Sequence, residues 1–186
     1  MNRYIAFDCE SGGVDTDKSL LTLYMVALDE QFEPIGEIDL KIKPNAGKPY
    51  IVTGEALGIN KINLVEHDKV AISESEAGAK LREFLVIHSM CGKIKLVPIG
   101  HNVGFDEDFI HAHVLNKREY QQYVSYRKLD TAVVAQFLKA GARLPEVVTG
   151  SLSSLMDHYG IKFEGSAHEA RADTHATVQV LKMMLR

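Results

Sequence analysis

Two acidic side chains near the start of the chain have the types and the spacing for chemistry. Asp8 and Glu10 are two residues apart and directly follow the apolar run 5–7. Side chains two apart on a β-strand project from the same face. An isolated Asp-x-Glu pair is more often a solvated strand end, but here the apolar run places the pair where a buried strand meets its rim. Adjacent carboxylates raise each other's pKa unless a cation lies between them, so the pair is a candidate metal site.

Two further acids are candidates for the same site. Asp106 lies between an apolar run and a predicted helix, where a helix N-terminal acid favoured by the macrodipole is the alternative interpretation. Asp173 follows His168 by five residues. On one continuous helix this spacing would leave them about 140° apart, so they would not face one site. We therefore expect His168 in the loop before the last helix and Asp173 on the first turns of that helix.

Other residues that could bind a metal ion are discounted by their spacing. His111 and His113 are two apart on a predicted helix, about 200° around its axis, and cannot bind one ion together. Cys9 alternates away from its acidic neighbours and is expected to be buried. Asp130 directly precedes a helical pattern and is predicted to cap that helix rather than to act as a fifth ligand.

Three segments that contain these residues resemble a known family. They are Phe7-Asp8-Cys9-Glu10, His101-Asn102-x-x-Phe105-Asp106-x-x-Phe109 and His168-x-Ala170-x-x-Asp173. In order and spacing they resemble the three exonuclease motifs of the DEDDh branch of the DnaQ-like 3'-to-5' exonucleases, and the match spans essentially the whole chain. The resemblance implies an RNase H-like fold. It also implies metal-dependent hydrolysis of phosphodiester bonds at the 3' ends of single-stranded or frayed DNA or RNA, which releases nucleoside 5'-monophosphates.

The resemblance assigns roles to five residues. Asp8, Glu10, Asp106 and Asp173 would hold two Mg2+ or Mn2+ ions, which prefer carboxylate oxygens as ligands. Asp8 would bridge the two ions. His168 would be the general base that takes a proton from the attacking water.

The resemblance also implies substrate contacts, at Ser11, Gly12, Leu57, Asn102 and Phe105. Leu57 would be an apolar wedge beside the terminal base, with an ordinary core leucine as an equal alternative. Many relatives carry two threonines after the first-motif glutamate, whereas in this chain Ser11 keeps a hydroxyl and Gly12 does not. This departure leaves the metal ligands untouched and bears on recognition of the sugar and the 3' end.

The sequence leaves several related functions open. One is RNA processing by a 3'-to-5' exoribonuclease of the oligoribonuclease type, since no residue can be tied to the 2'-hydroxyl. Another is a proofreading module that acts within a polymerase assembly. An RNase H-like endonuclease is disfavoured by the histidine of the third motif. The expected partner is the 3' end of a single strand. A homodimer or a polymerase partner is left open.

Hydrophobic periodicity predicts the elements that must position these residues. Apolar runs predict five strands, at residues 3–8, 20–28, 35–43, 94–99 and 124–129. Helical spacing predicts five helices, at residues 73–90, 105–115, 131–138, 152–159 and 170–185. Stretches 44–59 and 141–150 are predicted to be irregular. The order predicts an α/β fold with a mixed five-stranded sheet, in which a three-strand meander is joined by parallel strands and flanked by helices. This order agrees with the RNase H-like fold that the resemblance implies.

Length and composition exclude several classes of protein. With 186 residues, 46% hydrophobic and 25% charged, we expect one domain over residues 1–186 rather than a disordered chain. The resemblance implies that this is a single DEDDh exonuclease domain. The longest apolar run, residues 20–28, is shorter than the roughly 20 residues that span a bilayer, so no membrane association is expected. Two cysteines cannot form a disulfide framework, which favours a reducing, cytoplasmic location.

The charge balance sets an expectation about nucleic acid binding. The chain has 21 basic and 25 acidic residues, a net charge of −4. Without the four candidate ligands, 25 − 4 leaves 21 acids against 21 bases. A tight duplex binder needs a strongly basic surface, so we expect modest, end-directed binding.

Overall fold

The strand with the first two candidate acids lies inside the sheet. The structure is a computed structural model that describes residues 3–162 and 169–186. Its strands are β1 (Arg3–Ser11), β2 (Leu20–Leu28), β3 (Pro34–Lys43), β4 (Ile72–Ser73), β5 (Leu96–Gly100) and β6 (Leu129–Asp130). These strands form one sheet in the order β4-β3-β2-β1-β5-β6. β1, β2 and β3 form an antiparallel meander, whereas β4, β5 and β6 each pair in parallel with a neighbour.

The predicted mixed sheet is therefore confirmed, with a different strand count. Within the described residues there are six strands rather than five, because the two-residue β4 pairs with the end of β3. A strand of two residues is too short to show periodicity. The last strand, predicted at residues 124–129, is Leu129–Asp130, and Val124 forms only an isolated bridge to Leu96.

The first strand also differs from its predicted length. β1 continues to Ser11, three residues past the predicted end at residue 8. Asp8 and Glu10 pair with Tyr24 and Thr22 of β2, so the two acids lie within the strand rather than at its end. Backbone pairing with β2 therefore fixes the direction in which both carboxylates point.

The helices flank the sheet. They are α1 (Gly54–Asn60), α2 (Leu64–Val70), α3 (Glu74–His88), α4 (Val103–His113), α5 (Lys117–Tyr120), α6 (Thr131–Ala140), α7 (Leu152–Tyr159) and α8 (Ala170–Met184). The five predicted helices correspond to α3, α4, α6, α7 and α8, with ends within two residues of the prediction. In the parts of the chain that the structure describes, no helix is long and apolar enough to span a membrane.

Three short helices were not predicted. α1 lies mostly within the stretch 44–59 that we expected to be irregular, because Gly54 and Gly58 lower its helix propensity. The signal for α1 was Thr53, whose side chain accepts a hydrogen bond from the backbone N–H of Ala56. Asn63 caps α2 in the same way. The other irregular stretch, 141–150, has neither helix nor strand, as predicted.

Alternation along β1 assigns its side chains to two layers. Ile5, Phe7 and Cys9 belong to the core that packs against α3 and α4. Ala6 belongs to a second cluster on the opposite face, with residues of α8 such as Val178. Because the side-chain period of a strand is two, Asp8 and Glu10 share the face of Ala6. The candidate acids of β1 therefore lie on the α8 side of the sheet, and the buried Cys9 lies on the other side as predicted.

The start of α4 is held by one carboxylate. Asp130 accepts hydrogen bonds from the backbone N–H groups of Ala132 and Val133, and so caps α6 as predicted. It also accepts from the N–H groups of Asn102 and Val103 at the start of α4, at 3.0 and 3.1 Å. One side chain thus accepts hydrogen bonds from N-terminal backbone N–H groups of two helices, which have no partner within their own helix.

Replacement of Asp130 is expected to loosen both helix starts together. Asp130→Ala should lower the free energy of unfolding by about 2–3 kcal/mol, since it removes a cap and further charge-assisted hydrogen bonds. Urea unfolding followed by circular dichroism measures the loss. Asp157→Ala, at an exposed position on α7, is the control and should change stability by less than about 0.5 kcal/mol. An Asp130→Ala protein as stable as the control would contradict the double cap.

Candidate active site

Three of the predicted acids meet at the α8 face of the sheet. Asp8 and Glu10 project from β1, and Asp173 lies in the first turn of α8. One carboxylate oxygen from each of the three can be chosen so that all lie within 4.8 Å of one another. All three side chains are partly buried. The structure therefore brings together acids that are more than 160 residues apart in the chain.

Asp106 approaches the same strand from α4. It lies in the first turn of that helix and is 3% exposed. Its Oδ1 accepts a hydrogen bond from the backbone N–H of Cys9, at 3.0 Å. Cys9 lies between Asp8 and Glu10, so this bond places Asp106 beside the pair, although it is not one of the three residues grouped within 4.8 Å.

Burial and mutual repulsion make the carboxylates resist ionisation. Burial, followed by the charges of Asp106, Glu10 and Asp173, raises the pKa of Asp8 well above its ordinary value. Burial, followed by the charges of Asp173 and Asp106, raises the pKa of Glu10 to about 8. Burial also raises the pKa of Asp106 to about 7, against the opposing effect of the hydrogen bonds from Cys9. Ionised acids in this arrangement need a compensating positive charge.

The donor set suits a divalent cation. Carboxylate oxygens are hard ligands of the kind that Mg2+ and Mn2+ prefer. The neighbouring thiol is unsuited to this role, since burial and the adjacent acids raise the pKa of Cys9 well above its ordinary value. Asp8, Glu10 and Asp173 could hold such an ion, with Asp106 close by.

A cleft of about 310 Å³ opens beside Glu10. Its lining includes Ser11 and Phe105, which were predicted to contact substrate. Gly12, Leu57 and Asn102 do not line it. Ala56 and Ile59 of α1 supply apolar lining, which could not be assigned from the sequence because α1 was not predicted.

The cleft has further lining residues on both sides. They are Gly13, Val14, Asp15 and Lys18 from the loop after β1, and Thr53, Glu55 and Asn60 from the segment around α1. The side-chain amide of Asn60 donates to the backbone carbonyl of Ser11, at 3.2 Å, and so joins the two walls. The glycine-rich turn after Glu10 was the sequence signal for the first wall. The predicted base, His168, lies outside the described residues.

Comparison with known families agrees with this geometry. The family described as Exonuclease (RNase T) matches residues 5–181, which is nearly the whole chain. The chain belongs to this exonuclease family. No curated protein sequence matches this exonuclease chain.

Solved structures share the fold of the exonuclease chain. Exonuclease I of E. coli in complex with a dT13 oligonucleotide has a TM-score of 0.76 and 19% identity, over 98% of this chain and 41% of that one. The zinc-bound E. coli exonuclease I complex with single-stranded DNA has a TM-score of 0.76 and 20% identity, over 98% and 40%. Exonuclease I of Methylocaldum szegediense has a TM-score of 0.75 and 20% identity, over 98% and 40%. The exonuclease chain thus spans about two fifths of the length of these proteins. The likeness bears out the DnaQ-like, RNase H-like fold.

The departure at Gly12 has a structural cause in this exonuclease. A Cβ at residue 12 would lie 2.4 Å from the carbonyl oxygen of Ile51 and 2.8 Å from a methyl group of Val52. The backbone of Gly12 is paired on both sides, since its N–H donates to the Ser19 carbonyl and its carbonyl accepts from the Thr53 N–H. The segment before α1 therefore occupies the space that a threonine would need.

Addition of a methyl group at residue 12 should displace this segment. Gly12→Ala is expected to lower the free energy of unfolding by about 1–3 kcal/mol, the usual effect of overpacking. The control is Gly58→Ala on exposed α1, where nothing lies within 4 Å of the added Cβ, and a gain of up to about 1 kcal/mol is expected there. Thermal unfolding compares the two variants. Equal midpoints would rule out the close contact with Ile51.

Removal of one buried charge should stabilise the metal-free exonuclease. The raised pKa values of Glu10 and Asp106 mean that folding takes up protons between pH 4.5 and 8, so stability falls as pH rises through this range. Asp106→Asn keeps an oxygen for the Cys9 N–H and removes the charge. At pH 8 in a chelator, we expect a gain on the order of 1–3 kcal/mol.

Thermal unfolding in the chelator, at pH 5 and pH 8, measures this effect. Asp108→Asn, on the exposed side of the same helix, should stay within about 0.5 kcal/mol of the wild type. The gain for Asp106→Asn should shrink at pH 5, where the wild-type acids are protonated. A less stable Asp106→Asn protein at pH 8 would show that repulsion does not dominate there.

Proposed function

We propose that the chain is a metal-dependent 3'-to-5' exonuclease that removes nucleoside 5'-monophosphates from single-stranded or frayed DNA. The observation that carries the proposal is the convergence of Asp8, Glu10 and Asp173, with Asp106 beside them, in a chain of the exonuclease family. DNA is proposed ahead of RNA because related exonuclease I structures hold dT13 or single-stranded DNA.

The proposed cofactor is Mg2+ or Mn2+, as two ions held by Asp8, Glu10, Asp106 and Asp173. Such ions activate water and offset the negative charge that develops on a phosphate during displacement. The four carboxylates would hold these ions in fixed positions, since β1 pairing, the α8 first turn and the Cys9 N–H each hold at least one of them. Because the pKa values of Asp8 and Glu10 are raised, their ionised forms need the positive charge that such ions would supply.

His168 is proposed as the general base, from the third family motif. Its neutral imidazole takes a proton from water, and the water oxygen forms a bond to the phosphorus of the terminal phosphodiester. The bond from phosphorus to the 3' oxygen of the preceding nucleotide breaks, and that oxygen leaves as the new 3'-hydroxyl after it gains a proton. The products are one 5'-mononucleotide and a strand shortened by one.

The cleft beside Glu10 is proposed to receive the terminal nucleotide. Val14, Ile59 and Phe105 provide an apolar and aromatic lining for a base, and the walls end in backbone groups near Ser11 that suit a sugar. A volume of about 310 Å³ fits one nucleotide rather than a duplex end. End-directed binding is also what the absence of a basic excess in the sequence favours.

The cellular setting is part of the proposal. The two cysteines are free, which fits a reducing compartment such as the cytoplasm. The chain spans about two fifths of exonuclease I. Action alone, action as a homodimer and action with a polymerase are therefore kept as the alternatives that the sequence left open.

A digestion assay tests the function. The full chain is incubated with Mg2+ and 5'-labelled single-stranded DNA, RNA of the same sequence, or a duplex with a mismatched 3' end. We expect a ladder that shortens from the 3' end of the DNA, and no digestion in a chelator. Internal cuts would instead favour an endonuclease, and faster digestion of RNA would favour the exoribonuclease.

Two substitutions tie the activity to the proposed residues. Asp173→Asn should abolish digestion with the circular dichroism spectrum unchanged, whereas Asp108→Asn should digest at the wild-type rate. His168→Ala should lower the rate about 10²- to 10⁴-fold, the usual contribution of a general base. His158→Ala, on exposed α7, is its control. An active Asp173→Asn protein would overturn the proposed metal site.

A further inference from the structure

The loop between β1 and β2 is one wall of the cleft and needs support at its tip. Residues 13–15 and 18 line the cleft. The base of the loop is well held, by backbone hydrogen bonds from Gly12 to Ser19 and from Ser19 to Ile51. Residues 14–17 at the tip are exposed. Among the described residues, one hydrogen bond from outside the loop reaches this tip, and it comes from His113.

His113 makes two hydrogen bonds to groups that accept. Its Nε2 lies 3.0 Å from the backbone carbonyl oxygen of Thr16 in the loop. Its Nδ1 lies 2.8 Å from Oε1 of Glu74 on α3. A carbonyl oxygen cannot donate, and an ionised carboxylate cannot donate either. Both bonds form together only when both ring nitrogens carry a proton, that is, when His113 is an imidazolium.

The surroundings of Glu74 hold its carboxylate in place. Its Oε2 accepts from the side-chain amide of Asn45, at 3.0 Å, and both oxygens are thus used as acceptors. Asn45 in turn accepts from the backbone N–H and the hydroxyl of Ser75. Glu74 is the first residue of α3, where the macrodipole favours a negative charge. Glu74 is therefore held in place beside the His113 ring.

The ring of His113 is also positioned by its own helix. His113 is the last residue of α4, where the macrodipole favours a positive charge. Its ring stacks on Phe109, one turn earlier, with ring planes 14° apart. The charged groups that face it across a small surface cleft are Glu74 of α3, Asp17 of the loop and Lys48 of the segment after β3. Asp17 is itself ion-paired with Lys18, so Glu74 is the acid that pairs with the ring.

We infer that His113 is a positioning residue that holds the tip of the β1–β2 loop in place as a wall of the nucleotide cleft. The inference rests on the proposed function for its effect on catalysis. His113 is on the far end of the helix that carries Asp106, and its two side-chain hydrogen bonds go to Glu74 and Thr16. Loss of the bond to Thr16 frees the tip, and only the fraction of molecules with a closed wall then binds substrate at full affinity.

The first test concerns the loop and does not need catalysis. Amide hydrogen exchange is measured on the full chain for the peptide that contains residues 12–19. His113→Phe, which keeps a ring to stack on Phe109 but has no N–H donor, should exchange faster in this peptide alone. His158→Phe, at an exposed histidine on α7, is the matched control and should exchange like the wild type. Unchanged exchange in His113→Phe would overturn the inference.

The donor is tested on a protein that keeps the histidine, in case His113→Phe fails to fold. Nitrogen-15 spectra of labelled histidine rings should show a proton on Nε2 of His113 in the folded wild type, because the Thr16 carbonyl can only accept. An Nε2 without a proton would overturn the inference.

Kinetics then separate positioning from catalysis. With single-stranded DNA as substrate, His113→Phe should raise KM about fivefold, because part of the population lacks the closed wall. Its kcat should stay within about twofold of the wild type, since the carboxylates are not disturbed. A fall in kcat with unchanged KM would contradict a positioning role. If the wild-type chain digests no nucleic acid, the proposed function fails, while the exchange and nitrogen-15 measurements still decide whether His113 holds the loop.

Discussion

Mutual repulsion among buried carboxylates is the constraint on which the rest of the structure depends. Asp8, Glu10, Asp106 and Asp173 come from three elements, and burial together with the charges of these neighbours raises the pKa of Asp8 and of Glu10. Such a cluster persists without a cation only because hydrophobic packing on both faces of the sheet outweighs it. The same stored repulsion makes the cluster receptive to divalent ions. Stability and chemistry therefore oppose each other at β1, as is common at active sites.

The helix that carries Asp106 is held at both of its ends by polar side chains. At its start, Asp130 accepts from the N–H groups of residues 102 and 103. At its end, His113 joins it to α3 and to the β1–β2 loop. A carboxylate has the sign that the macrodipole favours at the start of α4. The position of Asp106 against Cys9 is thus set by contacts made a full helix length apart.

The parts of this molecule that local patterns govern could be predicted from its sequence. Alternation assigned Asp8 and Glu10 to one face and Cys9 to the other, and helical rotation placed Asp173 on the first turns of the last helix. Long-range pairing could not be predicted in this way. β4 is a strand only because two residues meet the end of β3, and Ile59 lines the cleft only because the glycine-containing segment 54–60 is helical. The spacing of His111 and His113 excluded a shared metal ion, but no local pattern indicates that Thr16 lies opposite His113.

The contact between Gly12 and Ile51 has a consequence for how this sequence can change. The segment before α1 fills the volume that a side chain at residue 12 would occupy, and its backbone is hydrogen-bonded to Gly12 and Ser19. A threonine at residue 12 therefore fits only if residues 51–53 move away. If residues 51–53 moved away while residue 12 was still glycine, a cavity would be left between them. The two positions form an epistatic pair, in which each change is expected to destabilise the protein without the other. Exchange of cleft segments between this chain and two-threonine relatives should accordingly succeed only when both walls are transferred together.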